Sequence, residues 1–165
     1  MKKNIVLIGM PGAGKTTIGK ILSERLQLEF IDVDDFIEKE SGKTISELFN
    51  INEEHFRSVE SKACRTLSNN YPIVIATGGG VVKNPTNMEA LKSTGFVIFI
   101  DRPIEDIAGD VEISKRPLLK DGLQKLYPLY NERYDLYIKY SDLHVFNDKK
   151  IEDVVDKIIE KYTLA

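Results

Sequence analysis

The sequence is poor in cysteine, poor in arginine and without a long apolar run. Its single cysteine, Cys64, can form neither an internal disulfide nor a zinc site, which excludes a disulfide scaffold and points to a reducing, cytoplasmic setting. No apolar run approaches the ~18 residues that a membrane span requires. Met1-Lys2-Lys3 followed by Ile5-Val6-Leu7-Ile8 has the outline of a signal peptide, but the run is too short and reads as a buried first strand. Excess positive charge is also missing. The net charge is -3 and the pI near 5.5, so no basic field favours nucleic acid or an anionic membrane. There is no internal repeat and no linker rich in Pro, Gly or Ser, so residues 1–165 are expected to form one domain. A composition of 42% hydrophobic and 30% charged residues supports a packed core and excludes compositional disorder.

What is present is an alternation of apolar runs with amphipathic stretches. Ile5 to Ile8 suits a central parallel strand covered on both faces. Ile18, Ile21, Leu22 and Leu26 repeat with a helical period. Glu29 to Asp32 is a short strand candidate, and Phe36-Ile37 opens a short helix that Gly42 can end. Thr44 to Glu47 fits a capping box, and Asn52 a cap for the helix carrying Phe56, Val59, Ala63 and Leu67. Further strands are expected at Ile73–Ala76, Phe96–Ile100 and Leu143–Phe146. Further helices are expected from Leu123 to about Tyr140 and from Ile151. Strands alternating with helices mean an α/β fold with a mainly parallel sheet.

The strongest motif is Gly9-Met10-Pro11-Gly12-Ala13-Gly14-Lys15-Thr16, a G-x-x-x-x-G-K-[ST] match between an expected strand and an expected helix. Glycines let backbone N–H groups turn around phosphate oxygens, and the helix directs its positive end at the same anion. Lys15 would reach the β- and γ-phosphates, and the Thr16 hydroxyl would hold Mg²⁺. A nucleoside triphosphate is the expected ligand. The motif alone does not say where the γ-phosphoryl group goes.

Asp32, Asp34 and Asp35 follow the second strand, at a strand end that faces the ligand crevice in an open parallel sheet. Asp32 can orient Mg²⁺, and Asp34 can accept the proton of an acceptor hydroxyl. Helix capping is the competing reading for all three, and the favoured one for Asp35.

With these residues in view, the chain resembles the shikimate kinases, of the nucleoside monophosphate kinase-like branch of P-loop folds. Five segments carry the resemblance in order: Gly9 to Thr16, Asp32-Val33-Asp34, Phe56-Arg57-Ser58-Val59-Glu60, Gly78-Gly79-Gly80, and Arg116-Pro117-Leu118-Leu119. Glu132-Arg133 with Tyr137 matches in part. The resemblance implies a three-layer P-loop kinase fold with a five-stranded parallel sheet flanked by helices. It implies a substrate-binding segment near residues 32–60 and a lid near 110–122. The implied reaction is ATP-dependent phosphorylation of the 3-hydroxyl of shikimate, on the route to chorismate and aromatic amino acids. Catalytic roles fall on Lys15, Asp34 and Arg116. Nucleotide contacts fall on Gly12, Ala13, Gly14, Lys15, Thr16, Thr17 and Arg116, and metal contacts on Thr16 and Asp32. Acceptor contacts fall on Asp34, Arg57, Gly79, Gly80 and Arg133. The expected ligands are shikimate, ATP and Mg²⁺, with no nucleic acid or membrane partner and a monomer as the default.

The physical reading of these pieces agrees. An Arg fork matches a carboxylate in a bidentate way that Lys cannot. Only six of the 23 basic residues are arginine, and three of them, Arg57, Arg116 and Arg133, fall on motif positions. A surface ion pair with Glu60 competes for Arg57, although Glu60 can also orient the fork. A solvated helix face competes for Arg133, a flexible turn for the glycine run, and an ordinary loop for Arg116. The resemblance implies Pro11, Phe49 and Phe56 as lining of the substrate pocket, with plain packing the favoured reading, and packing is the expected role of Cys64 and of the tyrosines at 127, 130, 134, 137 and 140. His55 and His144 receive no role. The chain departs from the family at Gly109, where an adenine-covering Arg is usual, and at Asp135 and Lys139. A kinase for gluconate or a nucleoside monophosphate is the nearest alternative. A nucleotide-dependent switch is the alternative from another class.

Overall fold

The computed structural model describes residues 3–110 and 125–165. The element order is β1 (Asn4–Ile8), α1 (Lys15–Leu26), β2 (Glu29–Asp32), α2 (Val33–Ser41), α3 (Ile45–Ile51) and α4 (Glu53–Ser68), followed by β3 (Ile73–Ala76) and a 3₁₀ turn (Val81–Lys83). Then come α5 (Pro85–Thr94), β4 (Gly95–Asp101), α6 (Ile104–Asp110), α7 (Leu126–Tyr140), β5 (Leu143–Phe146) and α8 (Ile151–Leu164). The five strands form one sheet in the order β2-β3-β1-β4-β5, and every pairing is parallel. This is the expected three-layer α/β architecture.

The layers follow from the two-residue period of a strand. On β1, Ile5 and Leu7 face a core with Ile18 and Leu22 of α1 and Val155 and Ile158 of α8. Val6 and Ile8 face the opposite core, with Ile37 of α2, Leu67 of α4, Leu91 of α5 and Tyr137 of α7. Ile5 to Ile8 have no exposed surface, and burying each such side chain is worth about 1.5–3 kcal/mol. β1 therefore lies where both layers meet, and its carboxyl end delivers the glycine-rich loop to the rim of the sheet.

Three differences from the sequence reading have physical causes. The helix expected from Phe36 begins at Val33, because Asp32 caps it by accepting from the N–H groups of Asp34 and Asp35 at 2.9 and 3.2 Å. Helices α5 and α6 leave little mark on the apolar pattern of the sequence. α5 buries only Asn87, Met88 and Leu91, too few for a strong apolar period, but Asn84 caps it and Pro85 occupies its first position. α6 is seven residues long and carries its apolar contacts on Ile104 and Ile107. The lid segment expected at 110–122, with Arg116 and the start of the helix at Leu123, lies outside the described residues apart from the final helical residue Asp110.

Candidate active site

The glycine-rich loop connects β1 to α1. Gly14 sits at φ 101°, and a Cβ there would lie 2.8 Å from the Asn147 amide, so glycine is required on both counts. α1 has no side-chain cap and no acidic residue in its first turn. Its first N–H groups and positive dipole end are thus left for an anion. Lys15 is buried, and its Nζ donates to the Gly9 carbonyl within the same loop. Thr17 lies on the exposed side of this first turn.

Asp32 divides its carboxylate between two tasks. Oδ1 caps α2, while Oδ2 accepts from the Thr16 hydroxyl at 3.2 Å. Capping and the metal-side role are therefore compatible. A hydroxyl and one carboxylate oxygen side by side suit Mg²⁺, which takes few protein ligands.

Asp34 points into the protein from the first turn of α2. Burial and the nearby negative charges of Asp32 and Glu60 raise its pKa to about 7, against the opposing pull of Lys15. Its Oδ1 is buried with no hydrogen-bond partner among the described residues. Asp35 is exposed, in keeping with the helix-terminal role favoured for it.

The residues expected on the acceptor side gather around the glycine run after β3. A Cβ on Gly78 would lie 3.3 Å from Glu60 Oε2 and 3.4 Å from Asp34 Oδ1. One on Gly79 would lie 2.6 Å from the Pro11 ring and 3.3 Å from Arg133 Nη1. One on Gly80 would overlap the Arg57 guanidinium. Three successive glycines thus let three sets of side chains reach the backbone, and the run is a close-packed junction that leads into the 3₁₀ turn.

Arg57 is held by two carboxylates, Glu60 at 3.0 Å and Glu53 at 3.4 Å, and lies over the stacked rings of Phe49 and Phe56. The pair with Glu60 is not on the surface: Glu60 has no exposed area, and burial raises its pKa against the pull of Arg57, Arg133 and Lys15. Arg133 is also buried, at 1% exposure, which overturns the solvated-face alternative. Arg57 Nε, Arg133 Nε and Arg133 Nη1 are buried donors without partners among the described residues, and Glu60 Oε2 is an acceptor in the same condition. Buried polar groups normally find partners, so this concentration marks a ligand site.

α7 is placed by its tyrosines, which do more than the packing expected of them. Tyr137 donates to Gly79 O at 2.6 Å, and burial raises its phenol pKa to about 12. Tyr134 donates to Asp101 at 2.7 Å, and His144 Nε2 lies 2.7 Å from the same oxygen. Phe99 packs against all three rings. His144, given no role from the sequence, thus helps to fix the helix that carries Arg133. The departures at Asp135 and Lys139 are both exposed and leave this buried face unchanged. Gly109 is on the outside of α6, with nothing within 4 Å of a Cβ there among the described residues.

The structure brings together Lys15, Thr16, Asp32, Asp34, Arg57, Gly79, Gly80 and Arg133. Arg116 lies outside the described residues. Two residues the sequence reading passed over, Arg102 and Asn147, bond to the loop carbonyls of Gly12 and Ala13 at 2.9 and 2.8 Å. Their available signal was position, since each follows the end of a parallel strand on the crevice side of the sheet.

Comparison with known proteins agrees with this geometry. A family model described as "Shikimate kinase" matches residues 11–163. A shikimate kinase of Clostridium botulinum (strain Alaska E43 / Type E3) is 52% identical over 158 residues, covering 96% of each chain. One from Clostridium beijerinckii is 51% identical over 160 residues, covering 97% of this chain and 95% of its own. The solved shikimate kinase of Acinetobacter baumannii in complex with shikimate superposes with a TM-score of 0.92 at 35% identity, covering 98% of this chain and 93% of its own. With the phosphate loop, the buried acid and the paired arginines on one rim of the sheet, the chain belongs to the shikimate kinase family, whose members are ATP-dependent kinases acting on a hydroxyl of shikimate.

Proposed function

We propose that this site transfers the γ-phosphoryl group of ATP in line to the 3-hydroxyl of shikimate, with the chain's own residues dividing the work. The loop N–H groups and the start of α1 hold the phosphates, and Lys15 turns from the Gly9 carbonyl to the β- and γ-phosphates. Thr16 and Asp32 would hold Mg²⁺, which would supply positive charge to offset that of the phosphates. Asp34 orients the attacking hydroxyl and accepts its proton. A pKa of about 7 lets it do so near neutrality without being too weak a base. Arg57 and Arg133 fork the shikimate carboxylate, Glu60 holds the Arg57 fork, and Gly79 and Gly80 keep the backbone close to the ring hydroxyls. Arg116 is assigned charge stabilisation on the transferring group by resemblance. The acceptor segment over residues 32–60 supplies Asp34, Arg57 and Glu60 to this arrangement. Catalysis by positioning and charge stabilisation can contribute about 7 kcal/mol or more through effective molarity alone.

The observation that carries this reading is the set of buried polar atoms on Asp34, Glu60, Arg57 and Arg133, unpartnered among the described residues, around one glycine run. A base, an anion clamp and a phosphate cradle on the same rim suit a small acceptor bearing both a hydroxyl and a carboxylate. A cytoplasmic monomer completes the reading. It is supported by the lone buried cysteine and the small negative charge. Among the described residues, no helix is long and apolar enough to cross a membrane.

The deciding experiment is ADP release from MgATP with shikimate, gluconate or AMP as parallel acceptors. Turnover that depends on shikimate alone is expected. Equal release with all three, or with none, would overturn the assignment.

A further inference from the structure

The phosphate loop is held from outside by two side chains that do not belong to its motif. Arg102, one residue beyond β4, donates from Nη1 to the Gly12 carbonyl at 2.9 Å. Asn147, one residue beyond β5, donates from Nδ2 to the Ala13 carbonyl at 2.8 Å. The Asn147 backbone N–H is itself fixed on Asp101 O at 2.7 Å, so both contacts are rooted at one pair of adjacent strand ends.

The direction of these bonds matters for anion binding. In a trans peptide the carbonyl and the following N–H point to opposite sides. Holding the Gly12 carbonyl therefore sets the Ala13 N–H, which closes the turn on Met10 O at 3.0 Å. Holding the Ala13 carbonyl against Asn147 sends the Gly14 N–H the other way, away from Asn147. A loop with Gly12 and Gly14 at positive φ has unusual freedom to flip these peptides. A flip of the 13–14 peptide would turn carbonyl oxygen toward phosphate oxygen and reverse the dipole that the site uses, and a flip of the 12–13 peptide would break the turn on Met10 O. Asn147 is nearly buried at 9% exposure and packs against Gly14, so its amide has little room to move away.

We infer that Arg102 and Asn147 are positioning residues for the nucleotide: Arg102 keeps the Gly12–Ala13 turn of the loop closed, and Asn147 keeps the 13–14 peptide in its phosphate-binding orientation before the nucleotide arrives. The inference rests on the reading that this loop binds the phosphates of ATP. It separates two kinds of help that a cation beside a phosphate site can give, a general attraction and a fixed backbone, and assigns the second.

Calorimetric titrations with MgADP and, separately, with shikimate test it. Arg102→Ala and Asn147→Ala should each weaken MgADP by about tenfold, the loss of one hydrogen bond that orders the loop, and leave shikimate within about twofold. Arg102→Gln keeps an N–H donor without the charge, and Asn147→Thr keeps a hydroxyl donor. Each should recover part of the MgADP affinity lost by its alanine counterpart, and these two variants decide the matter if the alanine proteins do not fold. Unchanged MgADP affinity, equal weakening of both ligands, or Gln and Thr variants no better than Ala would overturn the inference. A wild-type chain that binds no MgADP would overturn the functional reading itself and this inference with it.

Discussion

The two halves of the site are built on different principles. The phosphate half is made of backbone: glycines at positive φ, the uncapped start of α1, and a lysine folded onto its own loop. The half proposed for the acceptor is made of side chains from α2, α4, the β3 glycine run and α7, several of them charged and buried without full partners among the described residues. Backbone donors carry no net charge and sit in one continuous stretch of sequence. Buried charges pull on one another's protonation and must be brought together from distant parts of the chain. The phosphate half should therefore fail locally when altered, and the acceptor half should respond in stability and pH dependence as well as in rate.

Asp34→Asn breaks this comparison most severely. Turnover should fall by a factor on the order of 10²–10⁴, the usual range for a positioned proton acceptor. The free protein should at the same time become more stable at pH 8. Because burial and like charges raise the folded pKa of Asp34 from 3.8, its favourable contribution is fully present below about pH 4 and is lost as pH rises from there through about 7. The variant escapes that loss, by up to roughly 4 kcal/mol from the size of the shift. Its advantage should shrink steadily as pH falls from about 7 toward about 4, and denaturant unfolding across pH 4–8 checks both the sign and the window. No stability difference at pH 8 would mean that Asp34 is not strained by its surroundings.

Arg133→Ala comes next. Loss of a buried charge-assisted contact, at roughly 1.5–3 kcal/mol, should raise the KM for shikimate by about tenfold to a hundredfold and leave that for ATP nearly unchanged. Lys15→Ala should do the opposite, lowering kcat by about a hundredfold with little effect on shikimate binding. Similar effects on both substrates in either variant would erase the division between the halves. The acid limb of kcat/KM for the wild type should fall with unit slope below about pH 7, following Asp34. The smallest change is expected for Tyr137→Phe. It removes the bond to Gly79 O while keeping the ring against Phe99, and should cost about 1 kcal/mol of stability with an activity change of only a few-fold.

The same contrast explains what the sequence revealed. The phosphate half is contiguous, so motif and position declare it together. β1, β3 and β4 were legible because they are short, nearly unbroken apolar runs, as in Ile5–Ile8 and Ile73–Ala76. α5 and α6 escaped notice because they present few apolar positions. The acceptor residues were found through an ordered resemblance, since spacing alone does not bring Arg133 to Gly79 across more than fifty residues. Arg102, Asn147 and the Asp101–His144–Tyr134 group stayed hidden for a related reason. Each works through hydrogen bonds to partners distant in sequence, and nothing in its own neighbourhood announces them.

One plain feature has a practical use. Cys64, the lone thiol of the chain, is fully buried, and its pKa is pushed up to about 12, mainly by burial and by the charge of Glu60. A thiol so rarely ionised reacts slowly with maleimides or alkylating probes. The natural chain is therefore a ready background for single-site labelling. A Gly109→Cys substitution on the outer surface of α6 would carry a fluorophore or spin label beside the segment assigned to the lid, without first removing a native cysteine.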